Sequence, residues 1–129
     1  MRTIKFRGKD YQTGEWVYGD LLQMLGHFPA IIECSPSDDG KVSYRQVAVT
    51  EETVGQFTGL RDKNGCDIYE GDILKIKGER SRLEVRFVRG VFAFLWNGNL
   101  DDEFPTGCPT FEWAEVAGNI HDNPKMIER

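Results

Sequence analysis

Three acidic groups in this sequence have a spacing that can do chemistry: Asp38-Asp39, Glu70-Gly71-Asp72 and Asp101-Asp102-Glu103. Neighbouring carboxylates hold a divalent cation or divide acid and base work between them. Either role needs further groups converging from elsewhere in the chain. The pair at 38–39 and the run of three at 101–103 sit among loop-forming residues and read as solvated surface. Glu70 and Asp72 flank a glycine just before an apolar run. The simpler account there is turn chemistry, with Gly71 supplying an unusual backbone angle and the Asp72 carboxylate accepting a neighbouring N–H. The functional alternative is an exposed recognition site on a loop.

Patterns for metals and nucleophiles are missing. His27, Cys34, Cys66, Cys108 and His121 contain no C-x-x-C and no H-x-x-x-H, so zinc has no support from spacing. Asp62-Lys63-Asn64-Gly65-Cys66-Asp67 has its glycine fourth and Ile73 in the twelfth place, where a calcium loop needs glycine sixth and glutamate twelfth. There is no G-x-S-x-G. Gly55-Gln56-Phe57-Thr58-Gly59 lacks the Lys-Ser/Thr of a phosphate loop. His27, beside Phe28-Pro29, and His121, beside Asp122, read as packing or surface histidines. The cysteines are odd in number and read as free thiols. No catalytic residue, metal, cofactor or enzymatic activity is expected.

Charge is unevenly spread. The chain carries −5 overall, which argues against indiscriminate binding to duplex DNA. Yet Lys75, Lys77, Arg80, Arg82, Arg86 and Arg89 stand against only Glu79 and Glu84, so residues 75–89 carry +4 and the remainder −9. A basic ribbon on a β sheet suits single-stranded nucleic acid when aromatic rings join it. The same ribbon also keeps an exposed face soluble and blunts edge pairing. These six cations are the candidate binding surface.

The elements that must position these groups are short strands. Fourteen glycines with eight Phe, four Tyr and three Trp point to strands and tight turns. Residues 3–8 and 15–22 read as a hairpin around Gln12-Thr13-Gly14, with a third strand at Ala30-Ile31-Ile32 and a loop over residues 35–40. Val42 to Val49 alternates, with Val47 and Val49 on one face and Val42 and Tyr44 on the other. Thr50 is placed to cap a helical turn. If Arg89-Gly90 is a two-residue loop, Leu83 faces Trp96, Val85 faces Phe94 and Phe87 faces Phe92. One face is then apolar, and Arg82, Glu84 and Arg86 project from the other. Phe111 to Asn119 reads as the last strand, and Asn123-Pro124 as the start of a short helical turn.

Asp62, Asn64 and Gly65 belong to a tight-turn signal, because Asn and Gly tolerate positive φ. The segment around them, Gln56-Phe57-Thr58-Gly59-Leu60, Asp62-Lys63-Asn64-Gly65 and Ile68-Tyr69-Glu70-Gly71-Asp72-Ile73, resembles the hallmark of the YopX family of phage and prophage proteins. Ile4-Lys5-Phe6-Arg7 with Trp16-Val17-Tyr18-Gly19-Asp20 resembles the family's opening strand pair. Residues 115–124 resemble its closing segment. Lys9 before Asp10 departs from the family's tryptophan. The resemblance implies a phage or prophage context and brings no activity with it.

The expected fold is mainly β in a single chain. Residues 1–53 would form an N-terminal sheet, and residues 54–129 a small SH3-like barrel. No run of apolar residues reaches the ~18 needed to cross a bilayer, so the host cytoplasm is the expected location. A non-enzymatic binding role follows, with a protein partner first and single-stranded nucleic acid second; the alternatives are self-association as a structural protein and, less favoured, an accessory enzyme using the Asp/Glu clusters.

Overall fold

The computed structural model describes residues 1–104 and 110–127. The chain divides into two compact units, Met1–Phe57 and Thr58–Arg129. Both are built of antiparallel strands, as the turn-rich, aromatic-rich sequence implies.

The first unit is a meander. Strand β1 (Phe6–Lys9) pairs with β2 (Trp16–Leu22), β2 with β3 (Ala30–Pro36), and β3 with β4 (Val42–Ala48). The β1–β2 turn is held by the Asp10 carboxylate, which accepts the Gln12 N–H at 2.9 Å. Alternation buries Val17, Ile31, Val47 and Val49 on one face, with Phe6, Leu21 and Val54 packed against them. The loop expected over 35–40 starts later, because β3 runs on through Pro36. From Cys34 to Gln46 every residue except Ser37 is exposed, so the outer half of the β3–β4 hairpin is an arm in solvent. A 3-10 turn, Glu51–Thr53, follows. Thr50 makes no side-chain cap there; the Thr53 hydroxyl instead donates to the Thr50 carbonyl at 2.6 Å and accepts the Lys9 N–H at 2.9 Å. Strand β5 (Gly55–Arg61) begins against β1 and passes into the second unit.

In the second unit the end of β5 lies beside β6 (Asp67–Tyr69). Strands β7 (Asp72–Ile76), β8 (Arg82–Val88), β9 (Val91–Trp96) and β10 (Ala114–Asn119) form a sheet in the order β10-β7-β8-β9. The β8–β9 register is the expected one: Leu83 opposite Trp96, Val85 opposite Phe94, Phe87 opposite Phe92. Arg89 and Gly90 both have positive φ, +50° and +82°. The core holds Ile68, Leu74, Ile76, Leu83, Val85, Phe94 and Ala114, with Leu60, Trp96, Phe104 and Val116 against it. The other face departs from expectation, for Glu84, Ala93 and Leu95 are only 1%, 2% and 1% exposed. A single helical turn, α1 (Thr110–Trp113), occupies the start of the expected last strand. A 3-10 turn at Pro124–Met126 follows β10; Asn123 does not cap it, and its side-chain oxygen accepts the Asn119 N–H at 3.3 Å.

The chain is thus mainly β. Among the described residues neither sheet closes on itself, so the strand pairing does not bear out a barrel. Among the described residues no helix is long and apolar enough to cross a membrane.

Candidate functional site

The turn between β5 and β6 is organised around one carboxylate. Gly65 donates its N–H to the Asp62 carbonyl at 3.0 Å, and the Asp62 N–H reaches the Cys66 carbonyl at 2.8 Å. Gly65 has φ +81°, the left-handed conformation that the Asn-Gly pair anticipates. Asp62 Oδ1 accepts the N–H groups of Asn64 and Cys66, each at 2.9 Å. Its Oδ2 accepts the N–H of Val116 in β10, 54 residues away, also at 2.9 Å. Next to it the Lys63 N–H donates to the Ala114 carbonyl at 3.0 Å. Burial pushes the Asp62 carboxyl up, but the N–H groups of Val116, Cys66 and Asn64 and the charge of Lys63 outweigh it. The net result is a pKa below the usual aspartate value. Asp62 is a clip between a turn and a distant strand.

Glu70, Gly71 and Asp72 form a second junction of the same kind. Asp72 is 1% exposed, and its Oδ2 accepts the Tyr69 N–H at 2.8 Å. Gly71 donates to the Val85 carbonyl at 2.8 Å and accepts the Ile120 N–H at 2.9 Å, which ties the turn to β8 and to the end of β10. Glu70 is half-buried beside it. This geometry is that of turn chemistry rather than of an exposed acid pair.

The basic ribbon separates into two kinds of residue. Lys75, Lys77, Arg80 and Arg89 are exposed. Arg82 turns its guanidinium back to donate to the Arg80 carbonyl at 2.9 Å. Arg86 donates through Nε and Nη2 to one Glu84 oxygen, at 2.9 and 2.7 Å. The Glu84 side chain is 2% exposed against 30% for Arg86. Arg86 therefore neutralises a buried carboxylate. The expectation that Arg86 projects as an outer cation is corrected by this pairing, whereas Arg82 keeps its charge at the surface against backbone carbonyls. An open cleft of about 550 Å³ beside Arg86 is lined by Trp96 and residues 97–102, which brings Asp101 and Asp102 near the ribbon.

Cys34 and Cys66 are free and exposed, and Cys108 lies outside the described residues. Among the described residues no three of His, Cys, Asp and Glu gather as a metal site requires.

The feature that sequence reasoning missed is the β3–β4 arm. Val42 and Tyr44, expected to share a face, do share it, and they stand 51% and 71% exposed. Tyr11 donates its N–H to the Ala48 carbonyl at 2.9 Å, on the side of β4 away from β3. Backbone groups alternate along a strand, so Gln46, Tyr44 and Val42 also aim theirs away from β3. Beside this edge Asp10, Tyr11 and Gln12 face residues 45–48 across a groove of about 320 Å³. The Tyr11 ring packs on the exposed ring of Phe28, centroids 4.8 Å apart.

Two solved structures are similar over nearly the whole chain. Protein EF1440 from Enterococcus faecalis is 25% identical, with a TM-score of 0.58, and the match covers 99% of this chain and 100% of that one. Protein yopX from Bacillus subtilis is 19% identical, with a TM-score of 0.52, covering 100% of this chain and 98% of that one, and shows the shared fold. A shorter similarity, 32% identity over 66 residues, links 51% of this chain to glycerol-3-phosphate dehydrogenase [NAD(+)] 2 of Candida albicans, of which it spans 18%. The described residues contain one α-helical turn and two 3-10 turns, and no parallel strand–helix–strand unit of the kind that binds a dinucleotide. Residues 5–128 match the family profile described as YopX protein, and the chain belongs to the YopX protein family.

Proposed function

We propose that this chain is a non-enzymatic binding module of a phage or prophage, acting in the host cytoplasm and engaging a protein partner through the β3–β4 arm. The observation that supports this reading is the exposure of every residue from Cys34 to Gln46 except Ser37. A two-stranded ribbon with both faces in water is marginal by itself, and apolar groups such as Val42 and Tyr44 gain most when a partner covers them. The test is affinity capture with the full chain from phage-carrying cells, run beside a Val42→Glu/Tyr44→Glu variant. A partner held by the parent and lost by the variant is the expected result. Retention of the same partners by both would place the site elsewhere.

A second reading, single-stranded nucleic acid along the ribbon, is favoured by Phe87, which is 51% exposed near the Arg89 turn. Its supply of cations is reduced to Lys75, Lys77, Arg80, Arg82 and Arg89, since Arg86 is paired with buried Glu84.

A further inference from the structure

We infer that the arm pairs with the arm of a second copy of this chain, β4 against β4 in antiparallel fashion about a two-fold axis at Tyr44. The inference rests on the arm being the binding surface and names its first occupant. Three observations select the edge, the centre and the register.

The edge is β4 rather than β3. On β3 the residues that aim their backbone away from β4 include Pro36, which has no N–H to give. Strand β4, Val42–Ala48, contains no proline and pairs through to Val42 without a register shift. Its open stretch is bounded at both ends. Beyond Gln46 the outward position at Ala48 is already taken by Tyr11, and before Val42 the chain turns through Ser37–Lys41, where the Ser37 N–H donates to the Lys41 carbonyl at 2.8 Å. The outward groups that remain belong to Val42, Tyr44 and Gln46, and these are symmetric about Tyr44. A two-fold axis there lets Val42 exchange both backbone bonds with Gln46 of the second copy, Tyr44 with Tyr44, and Gln46 with Val42. Each outward N–H and C=O in the stretch is then paired.

Charge selects the same register. With Tyr44 at the centre, Arg45 stands opposite Ser43 of the second copy, and Lys41 opposite Val47. A slip of one residue turns outward groups against inward ones and loses the bonds. A slip of two, in either direction, sets Arg45 directly opposite Arg45 or opposite Lys41, and like charges facing across strands destabilise the pair. Tyr44 and Val42 of both copies meet on one face, burying side chains that are 71% and 51% exposed in the single chain. The contact is short and isologous, so it forms a reversible dimer that depends on concentration.

The experiment measures the mass of the full chain by sedimentation equilibrium across micromolar concentrations at low salt, for the parent and three variants. The parent is expected to move from monomer to dimer. Ser43→Arg, which puts like charges opposite each other twice, should raise Kd about three- to tenfold, and Ser43→Glu should lower it by a similar factor. Tyr44→Pro removes an N–H that the hairpin itself does not use, and should abolish the dimer while circular dichroism stays β-like. A parent that remains monomeric overturns the inference. So does self-association that ignores both charges at Ser43, since another surface would then be responsible. Arm-dependent capture of a different protein in that case would leave the binding-module reading standing, so the two fail separately.

Discussion

At the scale of single residues, the family motif is a set of backbone clips. Asp62 satisfies three N–H groups with one carboxylate and holds the β5–β6 turn to β10. Because its folded pKa lies below the unfolded value, the carboxylate contributes stability fully above pH ~4. That contribution is lost as pH falls through the depressed folded pKa. Asp62→Asn, which turns an NH₂ toward a backbone donor, should cost about 1.5–3 kcal/mol at neutral pH in urea unfolding. It should also flatten the loss of stability below pH 4; an unchanged acid limb would show that the charge is not what the N–H groups hold. Gly65, at φ +81° with open space where a Cβ would go, is limited only by its backbone angle. Gly65→Val should therefore cost about 1–2 kcal/mol, and Gly65→Asn much less. Arg89 occupies the same left-handed region at φ +50°. Arg89→Asn should raise stability by about 0.5–1 kcal/mol, visible as a higher urea midpoint at constant slope.

At the scale of elements, the β8–β9 hairpin was legible from sequence because a two-residue loop and strict alternation leave one register that gathers the apolar side chains. The burial of its second face was not legible. Arg82, Glu84 and Arg86 look like a solvated row, and only elements distant in sequence decide which of them loses its water. The Glu84–Arg86 pair did carry a signal, since residues two apart on a strand share a face. Replacing Arg86 by Glu should destabilise the chain by roughly 3–5 kcal/mol, toward the lower end because the Arg86 side chain keeps 30% exposure. Arg89→Glu, in an exposed turn, should stay within about 0.5 kcal/mol in the same unfolding assay. Equal effects would mean that Glu84 is neutralised by other groups. The arm escaped sequence reading for the opposite reason. Alternation from Val42 to Val49 tells which residues share a face, yet it cannot tell where along the strand the covering layer ends, and here cover reaches only Val47 and Val49.

At the scale of the whole molecule, the net charge of −5 sets a limit on polyanion binding. With Arg86 paired to buried Glu84, five cations, Lys75, Lys77, Arg80, Arg82 and Arg89, remain in the ribbon to release counterions from a phosphate backbone. For a single strand the logarithmic salt slope is then at most about −3.5, so a rise from 50 to 200 mM salt should weaken any complex by roughly a hundredfold. The acidic remainder of the chain repels the strand wherever it leaves the ribbon. Short fluorescent oligonucleotides should accordingly show weak or no anisotropy change even at low salt. The charge variant suited to the question is Lys77→Glu/Arg80→Glu/Arg89→Glu, because these side chains are exposed and leave the Glu84–Arg86 pair in place. Micromolar binding by the parent that disappears in this variant would move the partner from protein to nucleic acid. Binding that the variant keeps would have to come from outside the ribbon, against the field of the rest of the molecule.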